Sequence, residues 1–160
     1  MPAVQDYFQS EKYFAHNKDK ITSLFNINYK TVPERSVSIH VRRGDYLKYP
    51  EIHPTLDADY YHKALEVIGD YSNAFVFTDS DLPKGLNIKN MQIIKLDKDY
   101  DELQFMASCD NNIIANSTFS WWAAYLNKNK NKKIVAPKIW FGPLGPQYWK
   151  DIYCDDWEII

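Results

Sequence analysis

Between residues 37 and 137 the chain repeats one alternation: a short apolar run, then a stretch patterned for a helix. The runs are VSIHVR (37–42), AFVFTD (74–79), MQIIKL (91–96), NIIANS (112–117) and KIVAP (133–137). In the first, Val37, Ile39 and Val41 alternate with Ser38, His40 and Arg42, the period of two that sends side chains to opposite faces of a strand. The near-continuous AFVF and IIA fit strands covered on both faces. DADYYHKALEVIGD carries Tyr60, Ala64, Leu65, Val67 and Ile68 as a helical apolar set, with Asp57 or Asp59 as its cap and Gly69 near its end. DYDELQFMASC (99–109) sets Leu103, Met106 and Ala107 on one face, and STFSWWAAYLNK (117–128) opens on capping residues before turning strongly apolar. Strands alternating with helices predict βαβ units, hence an α/β fold with a mostly parallel sheet flanked by helices. Residues 1–35 read as a helical lead-in, clearest in DKITSLF (19–25), and residues 36–160 as one globular domain. The closing WFGPLGPQYWKDIYCDDWEII reads as a loop followed by a short strand.

A chain of 160 residues, 45% hydrophobic and 16% aromatic, is long enough for one domain with a sizeable core. The formal net charge is −2 and the Lys and Arg are scattered, which argues against nucleic acid, whose binders present a clearly basic face. No apolar run approaches the roughly 20 residues of a membrane span. MPAVQDYFQSEKYF has no basic start followed by an apolar stretch, so no signal peptide is expected. Cys109 and Cys154 are widely separated, with no C-x-x-C, and read as two reduced thiols of a cytoplasmic protein.

In parallel sheets ligands gather outside the carboxyl ends of the strands. There the sequence places Arg42, Arg43 and Asp45 after the first run, Thr78 and Asp79 after the second, and Asn116, Ser117 and Thr118 just before a helix. Guanidinium groups bind phosphate in bidentate fashion, and a helix start offers free N–H groups and a positive dipole end. Together they predict a diphosphate site. Neither G-x-x-x-x-G-K-[ST] nor G-x-G-x-x-G occurs, so P-loop and ordinary dinucleotide readings fall. Neighbouring strand residues face opposite ways, so one of Arg42 and Arg43 meets the phosphate and the other braces the loop, through Asp45. His40 shares the face of Arg42 and is either a satisfied strand histidine or a nucleotide contact.

Several motifs have simpler readings. Asp79-Ser80-Asp81 imitates a D-x-D metal site, but two arginines already supply the positive charge, so no metal is expected. Arg43-Gly44-Asp45 spells the integrin tripeptide, yet beside a buried strand Gly44 reads as a residue that permits a tight turn or a close approach. Asn116-Ser117-Thr118 matches a glycosylation sequon at a buried junction, where modification is not expected. Trp121 and Trp122 read as anchors of their helix against the sheet.

IHVRRGDYL resembles the H-x-R-R-G-D element of the α-1,2-fucosyltransferases, glycosyltransferase family 11. FVFTDSD (75–81), ELQFMASCDNNIIANSTFSWWAAYLN (102–127) and KIVAPKIWF (133–141) resemble that family's later segments in order and spacing, and YFQSEKYF (7–14) the segment before them. The resemblance implies an enzyme of GT-B architecture, with this chain as its carboxy-terminal half: a Rossmann-like, GDP-fucose-binding domain over residues 36–160, the acceptor-side half being absent. It implies inverting transfer of L-fucose from GDP-fucose to the 2-hydroxyl of a galactose-containing glycan, without cofactor or metal. A bacterial cytoplasmic setting, at most peripheral to the inner membrane through a glycan pathway, goes with it. The donor contacts would be His40, Arg42, Arg43, Asp45, Asp79, Glu102, Asn116, Ser117, Thr118 and Ser120. Arg42 and Arg43 would be the catalytic groups, stabilising the β-phosphate as its bond to fucose breaks. Two positions depart from the family: Glu102 stands where an Asp reads the guanine edge, and Ser80 separates two acids that are otherwise adjacent. No general base is identifiable. The alternatives are a nucleotide-binding fragment without catalysis, a transferase using another sugar nucleotide, and an interaction module working through the Trp-rich end.

Overall fold

The computed structural model describes residues 10–160. Its strands are β1 (Ser36–Val41), β2 (Asn73–Thr78), β3 (Met91–Ile94), β4 (Asn111–Ile113), β5 (Ile134–Ala136) and β6 (Glu158–Ile159). Its α-helices are α1 (Lys18–Leu24), α2 (Ala58–Ile68), α3 (Asp99–Met106) and α4 (Thr118–Leu126). The strands form one sheet in the order β3-β2-β1-β4-β5-β6, and every pairing is parallel. The arrangement is Rossmann-like. The chain walks outward from β1 to β3, then crosses back to lay β4 on the other side of β1. That reversal opens a crevice at the carboxyl edge between β1 and β4.

β1 is buried throughout, as the centre of a two-sided sheet must be. Val37, Ile39 and Val41 pack under α2, against Tyr60, Tyr61, Ala64, Leu65 and Ile68. α2 is capped by Asp57, whose side chain accepts from Tyr60 N at 3.0 Å, which selects Asp57 over Asp59. It stops at Gly69, held at φ +84° with its N–H on Leu65 O. The opposite face carries Phe75 and Phe77 under Leu103, Met106, Ala123 and Leu126 of α3 and α4. On that side Ser38 Oγ of β1 accepts from Asn112 Nδ2 at 2.7 Å, and Asn127 Nδ2 donates to Asn112 Oδ1 at 2.7 Å. β3 lies at the sheet edge, and Ile93 is 56% exposed there. It ends at Ile94, two residues before its apolar run does, because Leu96 N turns to the Glu102 carboxylate.

Trp121, Trp140 and Trp157 form the core beneath the β5 side, and Trp121 Nε1 donates to Ile152 O at 2.6 Å. Trp122 is half-buried and stacks on Phe14. The lead-in contains two single 3-10 turns and α1, and from 26 to 33 it has no regular structure. Phe25, Ile27 and Tyr29 nevertheless pack into the α3/α4 cluster. Residues 1–9, which include the start of the lead-in and of YFQSEKYF, lie outside the described residues. Lys133 Nζ closes the end of α2 on Val67 O and Ile68 O, and Lys132 does the same for α4 on Asn127 O. Cys109 and Cys154 are buried free thiols. No helix among the described residues is long and apolar enough to cross a membrane.

Candidate functional site

The carboxyl ends of β1, β2 and β3 and the starts of α3 and α4 enclose a cleft of about 430 Å³. Read along the sheet edge, Lys95, Asp99 and Glu102 stand at the β3 end. Thr78 and Asp79 follow from β2, then His40 and Arg42 from β1. Ser117, the N-cap of α4, with Thr118 and Phe119 of its first turn complete the row, and Tyr46 lines the cleft as well.

The centre of the cleft is a carboxylate-braced guanidinium. Asp79 Oδ1 accepts the backbone N–H groups of Arg43 at 2.9 Å and Gly44 at 3.1 Å. Its Oδ2 pairs with Arg42 Nη1 at 2.7 Å, while Arg42 Nη2 donates to Asp45 Oδ1 at 2.5 Å. Burial pushes the Asp79 carboxyl up, but the two N–H bonds and Arg42 outweigh it and hold it below the ordinary carboxylate range. Gly44 is required by this approach: a Cβ there would stand 2.5 Å from Asp79 Oδ2.

His40 is 6% exposed, and its Nδ1 is buried without a hydrogen-bond partner. Burial, together with Arg42, lowers its pKa to about 4 against the opposing pull of Asp79, so the imidazole is neutral at pH 7. Its ring lies 5.7 Å from that of Phe119, in the first turn of α4. Ser117 occupies the N-cap of α4 but makes no side-chain capping bond. Glu102 is buried at the other end, where Oε1 accepts from Leu96 N at 3.0 Å and faces Lys95 Nζ at 3.6 Å.

Of the ten residues expected here, the cleft is lined by His40, Arg42, Asp79, Glu102, Ser117 and Thr118. Arg43, Asp45, Asn116 and Ser120 stand outside the lining. Arg43 follows the strand alternation to the other side, where its charge bears on Tyr61 of α2. Asp45 binds Arg42 and not Arg43: the 3-10 turn Asp45–Lys48 folds the acid back onto the residue three earlier. The same arginine therefore faces the cleft and carries the brace, which corrects the expected division of labour. Asn116 is turned inward, with Nδ2 on Pro54 O at 2.9 Å and Trp140 O at 3.0 Å. Ser120 Oγ is buried against Ala115 O and Ser117 O. Tyr46 and Phe119, which lie inside the matched motifs but were given no role there, line the cleft, and so do Lys95 and Asp99, which no motif singled out. Among the described residues no group of three or more His, Cys, Asp or Glu is gathered as metal ligands would be.

The connection after β1 leans over the β4 and β5 ends. Tyr46 OH donates to Asn116 O at 2.9 Å, Gly142 N to Ile52 O at 3.0 Å, and Leu144 N to Glu51 O at 2.9 Å. Arg42 lies over the Tyr46 ring at 5.2 Å, and His53 stacks on the same ring at 4.6 Å. A cleft with a braced guanidinium, a helix start and a neutral buried imidazole suits a phosphorylated ligand with a polar end group.

The profile of Glycosyl transferase family 11 matches residues 4–160. The O-antigen biosynthesis glycosyltransferase WbnK of Escherichia coli is 34% identical over 84% of this chain and 54% of its own length. An alpha-1,2-colitosyltransferase of the same species is 30% identical, again over 84% of this chain and 54% of its own. A galactoside 2-alpha-L-fucosyltransferase of Caenorhabditis elegans is 25% identical over 78% of this chain and 42% of its own. The chain thus spans about half the length of the curated relatives it matches. No solved structure matches it at a significant level.

Proposed function

This chain belongs to glycosyl transferase family 11, and from that premise we propose that it is the donor-binding part of an inverting α-1,2-fucosyltransferase of GT-B type. The reaction moves L-fucose from GDP-fucose to a galactose-containing glycan. One observation carries the reading: His40, Arg42, Asp79, Glu102 and the start of α4 converge on a single cleft at the sheet's reversal point.

In this reading the guanine edge meets Glu102, the diphosphate lies between Arg42 and the α4 start, and His40 supports it from below. The acceptor O2 forms its bond to fucose C1 as the C1–O bond breaks, and the electron pair passes to the β-phosphate of GDP. Arg42 and the helix dipole stabilise that charge most when it is fully developed, which lowers the barrier. They provide the positive charge a divalent ion would otherwise bring. Arg43 acts through its main chain, holding Asp79 and hence Arg42.

Calorimetry and amide NMR with GDP, UDP and ADP test the site. GDP should raise Tm and move the signals of Arg42 and Ser117 to Phe119, with UDP and ADP much weaker. If no nucleotide raises Tm, the donor-site reading fails. A colitosyl donor is the second candidate, favoured by the 30% identity to a colitosyltransferase. It would accept the same nucleotide test and differ only in the sugar transferred.

A further inference from the structure

Two cations line the cleft, Arg42 and Lys95. Arg42 is fixed between Asp79 and Asp45. Lys95 directly follows the last residue of β3, and its side chain is 75% exposed. Among the described residues it faces the Glu102 carboxylate, with Nζ 3.6 Å from Oε1, too long for a strong hydrogen bond. An exposed pair of this kind contributes little to stability. The three N–H donors of the ammonium therefore stay available to a ligand.

The place of Lys95 along the sheet points to the base rather than the diphosphate. β3 lies two strands from β1, roughly 10 Å at the usual strand spacing, so Lys95 stands well to one side of Arg42. It stands beside the carboxylate assigned to the base. Glu102 is buried, and Leu96 N donates to its Oε1 at 3.0 Å, which fixes the longer arm of a glutamate in place. An ionised carboxylate has about four lone-pair positions on its two oxygens, so most of them remain open. Asp99, the other acid at this end, holds Tyr100 N on Oδ1 at 2.8 Å. The β3 end thus offers an ammonium donor and a carboxylate acceptor side by side.

Guanine carries the complementary row on its pairing edge: O6 accepts, then N1–H and the 2-amino group donate. The two donors suit the oxygens of Glu102, and O6 then falls to Lys95. Adenine reverses the first two positions, setting its amino group against the ammonium and its N1 lone pair against the carboxylate. Uracil matches those two but turns its O2 toward the second carboxylate oxygen. Discrimination of this kind comes from unmatched groups as much as from matched ones.

We infer that Lys95 is a specificity residue that donates to O6 of guanine and completes, with Glu102, the reader of the donor's base. The assignment deepens the GDP-fucose reading of the cleft and rests on it.

Calorimetry of this chain and of Lys95→Met with GDP, 6-thio-GDP, inosine diphosphate and UDP tests it by binding alone, with no transfer required. 6-Thio-GDP keeps both donors and replaces O6 by sulfur, a weaker acceptor. The parent should bind GDP about fivefold more tightly than 6-thio-GDP, and Lys95→Met should lose that preference by weakening GDP about fivefold while leaving 6-thio-GDP almost unchanged. The preference for GDP over inosine diphosphate, which lacks the 2-amino group, should persist in Lys95→Met because Glu102 reads that group. Unchanged GDP affinity in Lys95→Met would overturn the assignment. So would an equal weakening of GDP, 6-thio-GDP and UDP that fades with added salt, the mark of a general cation at the rim. Loss of the preference over inosine diphosphate, with that over 6-thio-GDP intact, would mean that Lys95 only holds Glu102, and it overturns the assignment too. GDP binding that fails in Arg42→Ala yet is untouched in Lys95→Met would leave the donor site standing without this base contact. If the parent binds no nucleotide, the donor-site reading itself fails and the role of Lys95 falls with it.

Discussion

Replacing Gly44 with alanine probes the brace on which the cleft depends. The new Cβ would stand 2.5 Å from Asp79 Oδ2 and 3.0 Å from Asp79 Cγ, and its third neighbour is the other oxygen of the same carboxylate. Asp79 must swing away. It then loses the N–H bonds from Arg43 and Gly44 and the 2.7 Å pair with Arg42. Charge-assisted bonds contribute about 1.5–3 kcal/mol each when well desolvated. The Asp79 side chain is 26% exposed, which screens part of that. A combined loss of about 2–3 kcal/mol remains, or roughly 5–10 °C in Tm for a chain of this size. Asp79→Ala removes the same bonds and should cost the same. In the double variant the clash has no partner, so Gly44→Ala should add almost nothing to Asp79→Ala. Urea and thermal denaturation of the four proteins give the cycle, with a coupling about equal to either single loss. Strictly additive losses would mean that Gly44 is needed for its own backbone and that the close approach to Asp79 has no energetic weight.

Arg42→Ala should weaken GDP binding by at least about tenfold, the loss of one charged contact, whereas Arg43→Ala, outside the lining, should stay within about threefold; calorimetry that ranks them the other way refutes the assignment. His40 titrates at about pH 4 in the folded chain against 6.5 unfolded, so between those values the unfolded state binds the extra proton. Stability should be level above pH 6.5 and decline as pH falls toward 4, by up to about 3 kcal/mol. His40→Gln should flatten that decline, and parallel declines of variant and parent in urea melts would refute it.

The alternation of runs and helices made the α/β architecture legible because each element is specified by its own periodicity. VSIHVR was expected over 37–42 and forms Ser36–Val41; the helix expected after Asp57 or Asp59 forms Ala58–Ile68. The sheet order was not legible. Whether β4 pairs beside β1 or continues outward past β3 is decided by crossovers, and no local pattern records them. The early end of β3 has the same character, since the group that stops it, Glu102, lies six residues further on in another element. The lead-in misleads for a related reason: its helical piece is local, while Phe25, Ile27 and Tyr29 are held by distant residues of α3 and α4.

At the site, strand alternation was enough to separate Arg42 from Arg43, but the turn that follows was not legible: Asp45 was expected on whichever arginine turns away from the ligand, and it binds the one that faces the cleft. Tyr46 and Phe119 sit within the motifs, yet their place in the cleft, like that of Lys95, emerges only from the coordinates. In the proposed donor reading, the charges around the cleft set how a diphosphate would bind. Arg42 and Lys95 face the carboxylates of Asp79, Asp99 and Glu102 beside a neutral His40, a net of one negative charge. Bulk attraction cannot bring a diphosphate here, so selectivity must come from directed donors. The α4 start supplies one set. Arg42 would supply the other by exchanging a partner: Asp45 is 58% exposed and held by one contact, whereas Asp79 is anchored by two main-chain bonds. A phosphate oxygen that replaces Asp45 keeps Arg42 fixed on Asp79, and such binding depends on geometry more than on ionic strength.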